Sequence, residues 1–191
     1  MTALTLNLHS AIELTDERFE QICQSNRDLR FERTATGELV IMLPAGSDTG
    51  RQNCELNGQL WLWNRQNRLG VGFDSSAGFT LPNGAIRSPD LSWIKQERWD
   101  SLNTAQKRKF APICPNFVAE LCSQCDRLTD VQSKMQEYLD NGAILGWLID
   151  PESQVEIYRP NQTVEVKNAL NSLSGEDVLP GFELDLQEIW A

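Results

Sequence analysis

Two carboxylates and one amine lie in contexts that ordinary surface exposure does not explain. Glu120 stands inside the run Phe117-Val118-Ala119-Glu120-Leu121. An ionised carboxylate is costly in such apolar company unless a cation or a proton accompanies it. Asp90 follows Pro89 directly, and Lys134 lies on the helix-forming segment after the Glu120 run. Two acids around a divalent cation, with an ammonium beside them, form a set that hydrolyses phosphodiesters. The ion polarises a phosphoryl oxygen and acidifies a bound water, while the amine orients that water or offsets charge gathering at phosphorus. Oxygen donors suit Mg²⁺, with Mn²⁺ as the alternative.

The elements that must position these groups follow from periodicity. From Asn116 to Cys122 the residues alternate, so Val118, Glu120 and Cys122 share one face and Phe117, Ala119 and Leu121 the other. Both faces are apolar apart from Glu120, the pattern of a central strand buried on two sides. A helix is predicted from about Asp130 to Asn141, capped by Asp126 or Thr129, with Val131, Met135, Tyr138 and Leu139 as its buried stripe. Lys134 falls at the edge of that stripe. It either belongs to a site, with Asp130 four residues back to orient it, or packs its stem and sends its ammonium to water. Asn141-Gly142 closes the helix, and 144–149 reads as a buried strand ended by Asp150-Pro151.

Asp90 is placed inside a strand from Ala85 to Lys95, the third of a set begun by Val71 to Asp74 and Phe79 to Leu81. Asp74 is a rival metal ligand, although Asp-Ser-Ser fits a turn equally well. A helix from Asp48 to Arg68 precedes these strands and buries Leu56, Leu60 and Trp63. On it Asn53, Glu55 and Asn57 are candidates to hold a metal-bound water or DNA, or are plain surface groups. Upstream, Thr15 caps a helix to Ser25, and Leu29 to Arg33 with Glu38 to Leu43 form a hairpin in which nothing suggests chemistry. Downstream, 155–158 and 164–166 form a hairpin, and 177–190 adds a last apolar layer.

Taken together, Ser88-Pro89-Asp90, Phe117-Val118-Ala119-Glu120-Leu121, Lys134-Met135-Gln136-Glu137-Tyr138, Asn141-Gly142 and Gly146-Trp147-Leu148-Ile149-Asp150-Pro151 resemble the Uma2 family. That family is restriction-endonuclease-like and belongs to the PD-(D/E)xK nuclease superfamily. The resemblance implies an α/β fold (α+β, mixed sheet) with a core of helix, three strands, helix and strand spanning about 48–151. An N-terminal helix and hairpin (1–47) and a C-terminal β extension (152–191) are added to it. It also implies Mg²⁺ held by Asp90, Glu120 and the Leu121 carbonyl, a DNA substrate, and association into a homodimer. The superfamily's lysine stands two residues after the glutamate, where this chain has Cys122; Lys134 matches the displaced position typical of Uma2. The departure at Cys122 keeps a second reading open, a non-catalytic nucleic-acid-binding module with a nuclease fold.

Composition sets the bounds. With 191 residues and 40% hydrophobic content, a single domain is expected. Met1 to Ser10 has Leu4, Leu6 and Leu8 but neither a basic start nor a long apolar run, so it reads as an edge strand or frayed end and the protein as cytoplasmic. No stretch approaches the roughly 20 apolar residues of a membrane span. Five cysteines, irregularly spaced, argue against a disulfide framework. Cys122 and Cys125 have a Cys-x-x-Cys spacing, but His9 is the one histidine, so a zinc or thiol role is short of ligands. The net charge of −10 sits poorly with nucleic acid, whose affinity comes largely from cations. Residues 51–109, however, hold nine Lys/Arg against five acids, which reads as a phosphate-facing surface near the proposed site.

Overall fold

A computed structural model describes residues 3–9, 11–123, 126–150 and 154–190. In chain order its elements are β1 (Ala3–Leu6), α1 (Asp16–Ser25), β2 (Arg30–Arg33), β3 (Leu39–Met42), α2 (Ser47–Asn67), β4 (Gly70–Asp74), β5 (Phe79–Thr80), β6 (Ile86–Arg87) and β7 (Leu91–Lys95). They continue with α3 (Gln96–Asp100), α4 (Thr104–Lys107), β8 (Phe117–Leu121), α5 (Leu128–Asp140), β9 (Leu145–Asp150), β10 (Gln154–Tyr158), β11 (Glu165–Asn168), β12 (Ser172–Ser174), β13 (Glu183–Asp185) and α6 (Gln187–Trp190). The fold is mixed α/β.

Six strands form the main sheet in the order β11-β10-β9-β8-β7-β4. Its one parallel pair is β8 with β9, from Phe117↔Leu145 to Leu121↔Ile149. A parallel pair needs a crossover connection, and α5 provides it. Every residue of β8 is buried, as its two-sided apolar pattern requires. On one face Phe117, Ala119, Leu121 and Trp147 pack against Leu56, Leu60 and Trp63 of α2 and against Leu184, Leu186 and Ile189 near the C-terminus. On the other, Val118, Cys122 and Leu148 meet Met135 and Tyr138 of α5. Glu120 shares that second face.

The second sheet runs β1-β3-β2-β6-β5. Helix α1 covers one side of it, where Leu14, Phe19, Phe31, Leu39 and Ile86 make a separate core. Alternation turns Glu32 and Val40 to the opposite side. The expected N-terminal edge strand is β1, which pairs with β3 from Ala3↔Met42 to Leu6↔Leu39.

The structure corrects the sequence reading at two places. Ala85 to Lys95 is not one strand: β6 belongs to the second sheet and β7 to the main one, and Asp90 stands in the break just before β7. Pro89 has no N–H to give a ladder, so the chain leaves one sheet there and enters the other. Helix α5 starts at Leu128 with Arg127 as N-cap and no side-chain cap. Asp126 Oδ2 instead accepts from the Ser123 N–H at 2.9 Å and hydroxyl at 2.7 Å.

No helix among the described residues is long and apolar enough to cross a membrane. The β4–β7 pair depends on a close backbone approach at Gly70, where a Cβ would overlap the Ile94 carbonyl and the Trp93 indole. Gly70→Ala is therefore expected to destabilise the protein by about 2–3 kcal/mol, as overpacking against backbone does. Urea unfolding checks this as a lower midpoint at an unchanged slope.

Candidate active site

Asp90 is 2% exposed. Extending the β7–β8 register by one residue from Leu91↔Ala119 sets it opposite Glu120. Its Oδ2 accepts the Leu121 N–H at 3.0 Å, and its backbone carbonyl accepts from the Asn57 amide at 3.2 Å. Its Oδ1 is buried with no hydrogen-bond partner among the described residues. Such an orphaned acceptor is rare in a folded protein and calls for a reason. The carbonyl of a strand residue points the same way as its N–H, so Leu121 C=O is also turned toward the Asp90 side.

Glu120 and Lys134 meet directly. Lys134 Nζ lies 2.8 Å from Glu120 Oε1, and the Tyr138 hydroxyl donates to the same oxygen at 3.1 Å. Lys134 is one turn before Tyr138 on α5, so the helix presents both donors to one carboxylate. The ammonium also lies 2.9 Å from Glu32 Oε1. Glu32 comes from β2, is 2% exposed, and is held from behind by the Ser88 N–H at 2.8 Å and Arg87 Nη1 at 3.1 Å. Arg87 Nε in turn reaches Glu137 Oε2 on α5 at 2.6 Å.

The electrostatics follow from this packing. Burial pushes Glu120 up to about 7; Lys134 opposes the rise, and the charges of Asp90 and Glu32 add to it. Asp90 is raised as well, by burial, against the pull of Lys134 and the Leu121 N–H. Burial acts on Glu32 in the same sense, but Lys134, Arg87 and the Ser88 N–H outweigh it and hold that carboxyl below its ordinary value. Burial would lower Lys134; Glu120 and Glu32 more than reverse that and keep the amine protonated. These groups open onto a cleft of about 760 Å³ between α5 and the second sheet. Among the described residues its lining carries seven carboxylates (Glu32, Glu38, Asp90, Glu120, Asp126, Asp130, Glu137) against three cations (Arg87, Arg127, Lys134).

A family and a solved structure share this architecture. The sequence pattern of Uma2, described as "putative restriction endonuclease", matches residues 16–187. The chain belongs to the Uma2 family. The crystal structure of a putative nuclease from Anabaena variabilis superposes on this Uma2 chain with a TM-score of 0.70 at 21% identity, covering 84% of this chain and 89% of that one. At that identity the likeness shows the shared fold. No curated protein matches the sequence.

Within this Uma2 chain, then, Asp90, Glu120, Leu121 and Lys134 converge. Other candidates do not join them. Glu55 is exposed on α2 and Asp74 is exposed at the end of β4, where its Oδ1 accepts from the Ser76 N–H and hydroxyl as a turn residue. Asn57 acts on the Asp90 backbone rather than facing the cleft. Asp130 lines the cleft, but the carboxylates that pair with Lys134 are Glu32 and Glu120. Cys122 is buried, and its thiol is pushed up to about 11 by burial and then by Asp150 and Asp126, so it is a poor thiolate source. Cys125 lies outside the described residues. Sequence reasoning missed Glu32, and with it the ion pair that Arg87, counted above only among the basic residues of 51–109, makes there. A Phe31-Glu32-Arg33 hairpin strand reads as polar on its solvent side, and nothing local says that α5 faces that side.

The raised Glu120 makes a pH prediction. Its stabilising contribution is complete below the unfolded value of about 4.5 and is lost as pH rises through about 7. Without divalent cation, wild type should lose stability relative to Glu120→Gln by on the order of 3 kcal/mol between pH 4.5 and 8. Urea midpoints of the two proteins across that range check it. A constant difference refutes it.

Proposed function

We infer that this chain, acting as one nuclease domain, hydrolyses phosphodiester bonds of DNA, with Mg²⁺ held by Asp90, Glu120 and the Leu121 carbonyl and with Lys134 beside them. The observation that carries this reading is the orphaned Oδ1 of Asp90, buried next to a second carboxylate and an ammonium. A divalent cation fits there. The donors are all oxygen, which suits a hard ion. Among the described residues no group of three or more His, Cys, Asp or Glu side chains is gathered for a metal; the reading uses two side-chain donors, Asp90 and Glu120. Two carboxylates with backbone and waters match the sparse protein coordination usual for Mg²⁺.

The protein's own groups have distinct tasks. The Leu121 N–H and the Asn57 amide fix Asp90. Tyr138 holds Glu120 in one orientation. Lys134 carries a proton at Nζ, and from its place against Glu120 it hydrogen-bonds to an entering phosphoryl oxygen or attacking water and offsets the developing charge. When bound, the cation supplies Lewis acidity and an acidified water.

The excess of carboxylates in the cleft favours catalysis over simple binding. A module that only binds nucleic acid needs cations facing phosphates, whereas this lining repels a phosphodiester until a divalent ion neutralises its inner acids. Of the nine Lys/Arg in 51–109, only Arg87 lines the cleft, and it is ion-paired. Lys107, Arg108 and Lys109 line a different cleft beside α1 and α4.

Cleavage of supercoiled and linear DNA by the purified protein with Mg²⁺, Mn²⁺ or EDTA tests the reading. Wild type should cut in a metal-dependent way. Asp90→Asn, Glu120→Gln and Lys134→Ala should each fall by about 10²-fold or more, the usual loss on removing a transition-state stabiliser, while keeping native circular dichroism. A fully active Glu120→Gln protein would sink the assignment.

A further inference from the structure

The lysine at this site is bonded to one of the carboxylates assigned to the cation. An ammonium 2.8 Å from Glu120 Oε1 competes with any ion that takes that carboxylate. Once Glu120 spends its charge elsewhere, a long flexible side chain on α5 has no reason to stay unless something else holds it. Glu32 is placed to do so.

The geometry points to Glu32 as the positioning residue for Lys134, with the second sheet as an obligatory half of the catalytic site; this rests on the hydrolase reading above. Five groups alternate in charge from Glu137 through Arg87, Glu32 and Lys134 to Glu120, each step a bond of 2.6 to 3.1 Å. Glu32 cannot turn away from Lys134. Its Oε1 is shared between the ammonium and the Ser88 N–H, and its Oε2 is held by Arg87. Arg87 is itself fixed by Glu137, one turn beyond Lys134 on the same helix. The turn before β6 adds a second tie, since Asn83 donates from its backbone to Asn141 Oδ1 at 2.8 Å and from its side chain to Glu137 Oε1 at 2.9 Å. Helix α5 is thus clamped against the second sheet, and Glu32 is the clamp's contact with the functional amine. The same fixed charge keeps Lys134 in the cleft when Glu120 is engaged elsewhere.

Glu32→Gln keeps the size of the side chain and its acceptor for the Ser88 N–H while removing the charge. Two measurements decide the matter. In metal-saturated cleavage assays at a temperature where both proteins are fully folded, kcat should drop about 10–100-fold, as when a group that orients a functional side chain is lost. KM for DNA and the Mg²⁺ concentration at half-maximal rate should stay within about threefold of wild type by the same reasoning. A kcat that stays within about twofold, or a loss that appears only in KM, overturns the role.

The second measurement is independent of activity. In the Glu120→Gln background, where Glu32 is the remaining carboxylate against Lys134, the ammonium of Lys134, assigned by comparison with Lys134→Arg, should give a slowly exchanging ¹⁵N signal that disappears when Glu32→Gln is added. An unchanged signal overturns the positioning role whether or not the protein cuts DNA. If wild type cuts nothing with any metal yet the signal is lost when Glu32→Gln is added, the hydrolase reading fails alone and Glu32 still anchors Lys134.

Discussion

One ammonium holding two buried carboxylates is the constraint on which the rest of this structure depends. Glu32 and Glu120 are nearly inaccessible to water, and both end on Lys134. Buried ion pairs are poor sources of net stability, but losing one partner leaves an uncompensated charge that costs several kcal/mol. The folded state therefore requires that β2, β8 and α5 arrive together. No pair of these elements satisfies the three groups alone.

The topology brings them together for ordinary reasons. β8 and β9 are parallel, so the chain must cross over between them, and α5 passes across the face on which Glu120 points. Pro89 ends the ladder of the second sheet and sends the chain into the main one, which leaves Asp90 at a strand mouth beside Leu121. Arg87, two residues before Pro89, stays with the second sheet and braces Glu32. A single sheet-to-sheet transition thus delivers both a candidate ligand and the support of the lysine.

The charge pattern separates catalysis from attraction. The cleft is acidic, and the basic residues of the central segment lie mostly elsewhere on the surface. On the proposed hydrolase reading, a negatively charged substrate enters such a cleft by local neutralisation rather than by a broad positive field, and of the basic residues in 51–109 it is Arg87 that lines the cleft. On that reading, Asp90 Oδ1, unsatisfied among the described residues, is where such neutralisation acts.

Glu120 was legible from sequence because its neighbours are apolar on both faces of the strand, and a lone acid there has few explanations. Lys134 was half legible, as a cation at the edge of a helical stripe, with the choice between a site and a snorkelling surface lysine left open. Asp90 is legible as a residue, but the pattern around it reads as one strand, since local pattern cannot tell a continuous strand from two that change sheets at a proline. Glu32 was not legible at all. An acid in an alternating hairpin looks solvent-facing, and its burial comes from α5, about a hundred residues further along, which packs over that face. The sequence by itself determined which strand is central and which carboxylate needs a cation, because period-two patterning and the cost of burying charge act locally. Only the tertiary structure decided what the lysine is tied to, because ion pairing depends on distances between segments that no local pattern encodes.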